Sequence, residues 1–276
     1  STGYNLTQLM IGSEGTLAVI TKIVFKLIPL PTKDITMLVP FNSAEKACEA
    51  VSAVFRAGIT PSALEFIERD AIDWTLKYTD VKLQIDDNVQ AHLLVEVDGN
   101  DLDLLHKDSE KVAEVMMSYD CGEILLADSE SQKNQLWKLR RAIGEAVKSN
   151  SIYKEEDTVV PRAELAKLLI GVKSIGKVYG FQSVCYGHAG DGNLHINIVK
   201  GEMSDEDWNT KLTFGIREIF ELTKKLGGTL SGEHGIGLVQ KNYMDIVFSE
   251  KALDLQKGIK NLFDPNGILN PGKILK

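Results

Sequence analysis

Two hydrophobic periods alternate along the chain. Short stretches with every second residue apolar mark strands, and longer ones with apolar residues three and four apart mark helices. Thr16 to Ile28 is β-rich and closed by Pro29 and Pro31, which predicts a strand running out of one domain or along the edge of the next. From Asp34 the order is strand (Ile35 to Pro40), helix from Asn42 with Glu45 in capping-box position, strand (Ala63 to Ile67), short helix near Trp74, strand (His92 to Val97), helix capped by Asn100 or Asp101, and strand (Glu123 to Ala127). That is βαββαβ, a ferredoxin-like unit. A helix from about Ser131 to Lys148 buries Leu136, Leu139, Ile143, Ala146 and Val147 and turns Trp137, Arg140 and Gly144 another way. A second such unit starts near Thr158. Its first helix begins at Pro161 with the stripe Leu165, Leu168, Leu169, Val172, Ile175, and its second runs from Asp205 to Leu226 after Ser204, before a short strand at Thr229 and Leu230. The expected fold class is α+β: one antiparallel sheet made of two ferredoxin-like βαββαβ units, with helices packed against it. A helix from Lys251 to Phe263 and a turn-rich tail, DPNGILNPGK, close the chain.

The middle strands of the second unit carry the sharpest chemistry. In CYGHAGDGNLHINI, Asp191-Gly192 predicts a two-residue hairpin loop that sets His188 directly opposite His195. Opposed residues have Cβ atoms about 5 Å apart, within reach of one ion. In SGEHGIG, Glu233 and His234 lie between glycines that permit tight turns. His188, His195 and Glu233 form a candidate His₂-carboxylate metal set with open positions, and His234 is a candidate general base. Such a set suits zinc, with iron, manganese or cobalt also compatible. The competing reading is histidines that only hydrogen-bond in a glycine-rich region. Arg140, on pattern alone, is an ordinary surface arginine.

Composition narrows the partners. A net charge of −8 leaves no basic stripe for a nucleic acid. Three widely separated cysteines, Cys48, Cys121 and Cys185, predict reduced thiols and a cytoplasmic setting. No apolar run reaches the roughly 20 residues needed to span a bilayer.

The motifs IGSEGTLAVIT, LWKLRRAIGEA with YKEED, YGHAGDGNLHINI, SGEHGIG and FDPNGILNPGK, in this order, make the chain resemble the C-terminal portion of FAD-linked oxidases of the vanillyl-alcohol-oxidase type. Within that group it resembles D-lactate dehydrogenase, the glycolate oxidase FAD subunit and D-2-hydroxyglutarate dehydrogenase. The resemblance implies that residues 1–32 are the edge of an FAD-binding domain, 33–245 a cap or substrate domain, and 246–276 a return to the flavin domain. It makes His188, His195 and Glu233 metal ligands and His234 the base. Arg140 and Lys154 become cations for a substrate carboxylate, and Asn197 a substrate-side residue. Ser13, Glu14, Gly15, Ile20 and Asn270 become flavin contacts. The implied activity is oxidation of a small D-2-hydroxy acid to the 2-oxo acid, with metal-assisted hydride transfer to FAD and a separate electron acceptor. The glycine loops that cradle FAD pyrophosphate are absent from these residues, so the fragment alone is expected to be inactive. A homodimer, and peripheral association with an inner membrane through an electron-transfer partner, are compatible with this picture. The rivals are a metal-binding interaction module and a metal-dependent hydrolase.

Overall fold

The computed structural model describes residues 2–275. Helix α1 (Leu6–Met10) is followed by β1 (Lys33–Phe41), α2 (Ala44–Arg56), β2 (Ala63–Glu68), α3 (Arg69–Tyr78), β3 (Ala91–Gly99), α4 (Leu102–Met117) and the short β4 (Leu125–Leu126). Helix α5 (Glu130–Asn150) leads to β5 (Tyr153–Val159), α6 (Leu165–Tyr179), β6 (Gln182–Gly187), β7 (Asn193–Val199) and α7 (Asp205–Lys225), and the single turn α8 (Met244–Val247) precedes α9 (Glu250–Phe263). Helices α2, α4, α5, α7 and α9 start where a side chain accepts the first free N–H groups. Ser43, Asp101, Ser129, Ser204 and Ser249 each do so, Ser43 in place of the expected Asn42.

All seven strands join one antiparallel sheet in the order β4-β1-β3-β2-β6-β7-β5. The first four form one ferredoxin-like unit, and β6-β7-β5 repeat its pattern. The units meet edge to edge where Phe66 pairs with Gly187 and Ile67 with Tyr186. Alternation along the strands divides the side chains between two faces. Leu64, Phe66, Leu93, Val95, Leu194, Ile196 and Ile198 enter the main core under α2, α4, α6 and α7. Ile67, Val184, Tyr186 and Val199 face the other way, against α3 and α5. The latter face also carries the candidate site.

Three expectations change. The strand at Thr229 and Leu230 is one bridge, from Thr229 to Val159. Two strand-forming residues between Gly227-Gly228 and Gly232 are too few to build a ladder. The β-rich stretch Thr16 to Ile28 forms no strand; Thr16 and Leu17 are buried, and from Val19 onward it lies open, with Val24 and Leu27 each 85% exposed. Strand propensity expresses itself only against a partner edge, and none among the described residues reaches this stretch. Pro161 caps a 3₁₀ turn, Arg162–Glu164, rather than opening α6 itself. The thiols of Cys48, Cys121 and Cys185 are free.

The tail packs on the N-terminal segment. Lys260 Nζ donates to the carbonyls of Thr16 and Leu269, each at 2.7 Å, and Asn270 Nδ2 donates to the carbonyl of Glu14 at 2.7 Å. No helix among the described residues is long and apolar enough to cross a membrane.

Candidate functional site

The β6-β7 connection is longer than a two-residue hairpin. Ala189–Asp191 form a 3₁₀ turn, Gly192 takes φ +78°, and His195 pairs with Tyr186 instead of His188. A Cβ on Gly192 would collide with the Val160 carbonyl, so the sharper turn cannot be relaxed by another residue there. The register differs from the expected one by two residues. An even slip preserves the face on which each side chain stands, so His188 and His195 still share a surface. Their ring centroids are 5.6 Å apart.

Glu233 closes the set. Its Oε1 lies 3.4 Å from His188 Nε2 and 3.4 Å from His195 Nε2. Tetrahedral ligands bonded at about 2.05 Å stand roughly 3.3 Å from one another, so these gaps match the edges of a metal polyhedron. Glu155, His195 and His234 form a second, overlapping group whose potential ligand atoms also lie within 4.8 Å of one another. His234 stacks on His195 at 5.1 Å between centroids and is half exposed.

Asp157 builds the loop that delivers Glu233 and His234. Its Oδ2 accepts from Ser231 Oγ at 3.0 Å and from the backbone N–H groups of Gly232 at 3.0 Å, Glu233 at 2.8 Å and His234 at 2.8 Å. Burial alone would raise its pKa, but the N–H donors of His234 and Glu233 prevail and hold it below the usual carboxylate range. Gly232 is required at this clasp, because a Cβ would run into the Asn193 side chain. Glu14 forms a second clasp: Oε1 accepts from Ile236 N at 2.7 Å and Oε2 from Gly237 N at 2.8 Å.

Glu65 joins the two units. It is buried on β2, accepting from Arg140 Nε at 2.8 Å through Oε2 and contacting His188 Nδ1 at 2.8 Å through Oε1. The hydrogen bond to Glu65 is the main reason that the His188 pKa is raised. The His195 pKa is lowered, chiefly by burial. Burial raises the Glu155 pKa, against the pull of His234.

Three buried side-chain nitrogens on this face lack a hydrogen-bond partner: Arg140 Nη2, His195 Nδ1 and Asn197 Nδ2. Arg140 Nη2 is 2.7 Å from Glu65 Oε2 but poorly aligned for donation. A buried unpaired polar group typically costs about 1–3 kcal/mol, so three together mark a surface prepared for a polar ligand. A cavity of about 440 Å³ lies elsewhere, around Leu38, Val89, His92 and Leu125. The clustered groups, not that cavity, locate the chemistry.

Of the residues expected here, His188, His195, Glu233, His234, Arg140 and Asn197 share one face. Lys154 does not. It pairs with Ile198 and stands, exposed, on the main-core side of the sheet, so Glu155, paired with Asn197, occupies the site face in its stead. Ser13, Glu14, Gly15 and Asn270 gather around the Glu14 clasp, whereas Ile20 lies in the open stretch. Glu65 and Asp157 were not anticipated. A lone acid in the apolar run ALEFI, and the last acid of YKEED, were the available signals.

Residues 30–274 match the family model described as FAD linked oxidases, C-terminal domain. The chain belongs to that family. It is 34% identical to D-lactate dehydrogenase of Anaerostipes hadrus, over 99% of this chain and 59% of that protein. Identity is likewise 34% to glycolate oxidase subunit GlcD of Bacillus subtilis (strain 168), over 99% of this chain and 57% of that protein. Among solved structures, p-cresol methylhydroxylase superposes with a TM-score of 0.63 at 17% identity, over 91% of this chain and 55% of that one. That likeness establishes a shared fold. The chain therefore spans under three fifths of the curated relatives it matches.

Proposed function

We propose that this chain is the substrate-side portion of an FAD-dependent dehydrogenase that oxidises a small D-2-hydroxy acid, of the D-lactate or glycolate type, to the 2-oxo acid. The observation that carries this reading is the meeting of a His₂-Glu set with Arg140 and two further unpartnered nitrogens on one sheet face. Residues 33–245 would form the substrate domain, and residues 1–32 and 246–276, joined by the hydrogen bonds of Lys260 to Thr16 and Asn270 to Glu14, would belong to the flavin side. The printed activities of the relatives supply the substrate class.

His188, His195 and Glu233 fit a divalent ion through Nε2, Nε2 and Oε1. When bound, the ion would polarise the substrate hydroxyl, and FAD would accept the hydride from Cα. Arg140 binds the substrate carboxylate through the guanidinium edge not used by Glu65, and Asn197 Nδ2 donates beside it. Glu65 holds Arg140 and His188 in fixed orientation. His234 is free to take the hydroxyl proton as the carbonyl forms.

The test is removal of Glu233 or His195 from the full-length, flavin-loaded protein. Each of Glu233→Ala and His195→Ala should lower bound metal and D-2-hydroxy-acid oxidation together. Retained metal with normal turnover would end the proposal, as would a wild-type protein that oxidises no 2-hydroxy acid.

A further inference from the structure

Three positive groups are expected around a dicarboxylate: one for each carboxylate and one electrophile for the hydroxyl. The site face supplies fewer. Arg140 is already half engaged by Glu65. Lys154, Glu156 and Thr158 alternate onto the helix-covered side of β5, opposite Ile198, Ile196 and Leu194. Lys148 donates to Glu145 at 2.7 Å near the exposed end of α5. Of the two β5 acids on the site face, Asp157 is spent on the SGEHG loop, and the one left to face a substrate is Glu155. Its Oε1 is 3.7 Å from His195 Nδ1, and its carboxylate also lies within 4.8 Å of a His234 nitrogen.

Glu155 differs from the other acids of this face. Glu65 is tied to Arg140 and His188, Asp157 to four N–H and O–H donors, and Glu233 stands between the two histidines. The Glu155 side chain makes no hydrogen bond among the described residues and is partly exposed on the site side. We infer that Glu155 sets the charge class of the substrate, turning away acids that carry a second carboxylate and leaving the site to monocarboxylate 2-hydroxy acids. This rests on the proposal that an anionic 2-hydroxy acid binds at Arg140.

The physical basis is like-charge repulsion, since the cation near Glu155, Lys148, is held by Glu145. A substrate held by its first carboxylate at Arg140 and by its hydroxyl at His234 places any second carboxylate within a few bonds of the histidine pair. That is inside the roughly 8 Å screening length at physiological salt. Repulsion between unit charges about 7 Å apart in a partly buried site corresponds to roughly a thirtyfold loss of binding.

In the full-length, flavin-loaded protein, kcat/KM should be measured for D-lactate and D-malate with wild type, Glu155→Gln, Glu155→Lys and Glu155→Asp. The D-lactate to D-malate ratio should favour D-lactate in wild type, fall at least tenfold in Glu155→Gln, fall further in Glu155→Lys, and return toward wild type in Glu155→Asp. The change should appear mainly in KM for D-malate and shrink at high salt. A ratio that does not move, or a wild type that uses both acids equally, overturns the inference while leaving the proposed function standing. Loss of bound metal in Glu155→Gln reassigns the residue to the ion and also overturns it. Failure of wild type to oxidise either acid, or any other 2-hydroxy acid, removes the inference and the proposed function together.

Discussion

The two ferredoxin-like units share a topology but not a surface. On the face that meets α3 and α5, the first unit buries Leu38 and Leu94 under Leu136, and its Glu96 is occupied by Trp137 and Thr36. The corresponding face of the second unit carries His195, Asn197, Glu155 and Asp157. Repetition of a fold thus supplies the platform, and one copy specialises. The first unit enters the chemistry through Glu65, on the edge strand that joins its neighbour.

The largest expected contrast comes from deleting one buried side chain in each unit. His195→Ala should abolish metal binding and lower kcat/KM by roughly a thousandfold, equivalent to several kcal/mol of transition-state stabilisation. Leu94→Ala, at a position just 1% exposed, should cost about 2–5 kcal/mol of stability and leave metal stoichiometry intact. Metal analysis with calorimetric unfolding checks both. Metal loss in Leu94→Ala would show that the units are not separable.

Acid separates the units as well. Burial, helped by Arg69, lowers the pKa of His92 in the first unit to about 4. The unfolded chain therefore binds a proton near pH 6.5 that the folded chain refuses. Stability from this residue is complete above pH 6.5 and lost as pH falls toward 4, by about 3 kcal/mol. His92→Phe should remove that part of the acid slope. Burial gives His195 a slope of the same sign in metal-free protein, so the wild-type minus mutant difference isolates His92. An equal loss of stability between pH 7 and pH 4 in wild type and His92→Phe, measured by urea titration, would refute the assignment. In the second unit, the lowered pKa of Asp157 has its consequence at lower pH: its contribution persists until pH falls below the ordinary aspartate range. Asp157→Asn at neutral pH should weaken the SGEHG loop by about 2–3 kcal/mol, as expected for hydrogen bonds to a charged acceptor. Amide exchange at Glu233 and His234 reads this directly.

Much of this contrast was legible in sequence because periodicity carries it. Helices α2, α4, α5, α7 and α9 begin within about two residues of their expected starts or caps, α6 begins four residues after the expected Pro161, and five of the six buried residues of α5 were expected. The sixth, Arg140, is buried because it is paired with Glu65 across 75 positions, a contact no local pattern encodes. The hairpin register was two residues off, yet its face was right, since parity survives an even slip. Lys154 stands off the site face for the complementary reason: an odd offset relative to Asp157 moves a side chain through the sheet. The run from Thr16 to Ile28 carries strand propensity, but a strand also needs a partner.

The smallest predicted effect probes the joint between the units. Glu65 offers one oxygen to Arg140 and the other to His188. Glutamine in its place has one acceptor and one donor. With the amide oxygen on Arg140, the NH₂ group faces His188 Nδ1, which must then accept, moving the ring proton to Nε2 and blocking the nitrogen that faces Glu233. With the oxygen on His188, the NH₂ group opposes the Arg140 donors. Either orientation damages one function, so Glu65→Gln should weaken metal affinity or raise substrate KM by about 10–100-fold, in line with other partners that orient metal ligands. Glu96→Gln, on the same face of the first unit but engaged with Trp137 and Thr36, should change neither. Metal titration and KM measured side by side on these two variants locate the boundary: an effect at Glu65 without one at Glu96 confines the first unit's part in the chemistry to its shared edge. Equal effects would mean that the whole first face, not the joint alone, holds the site in place.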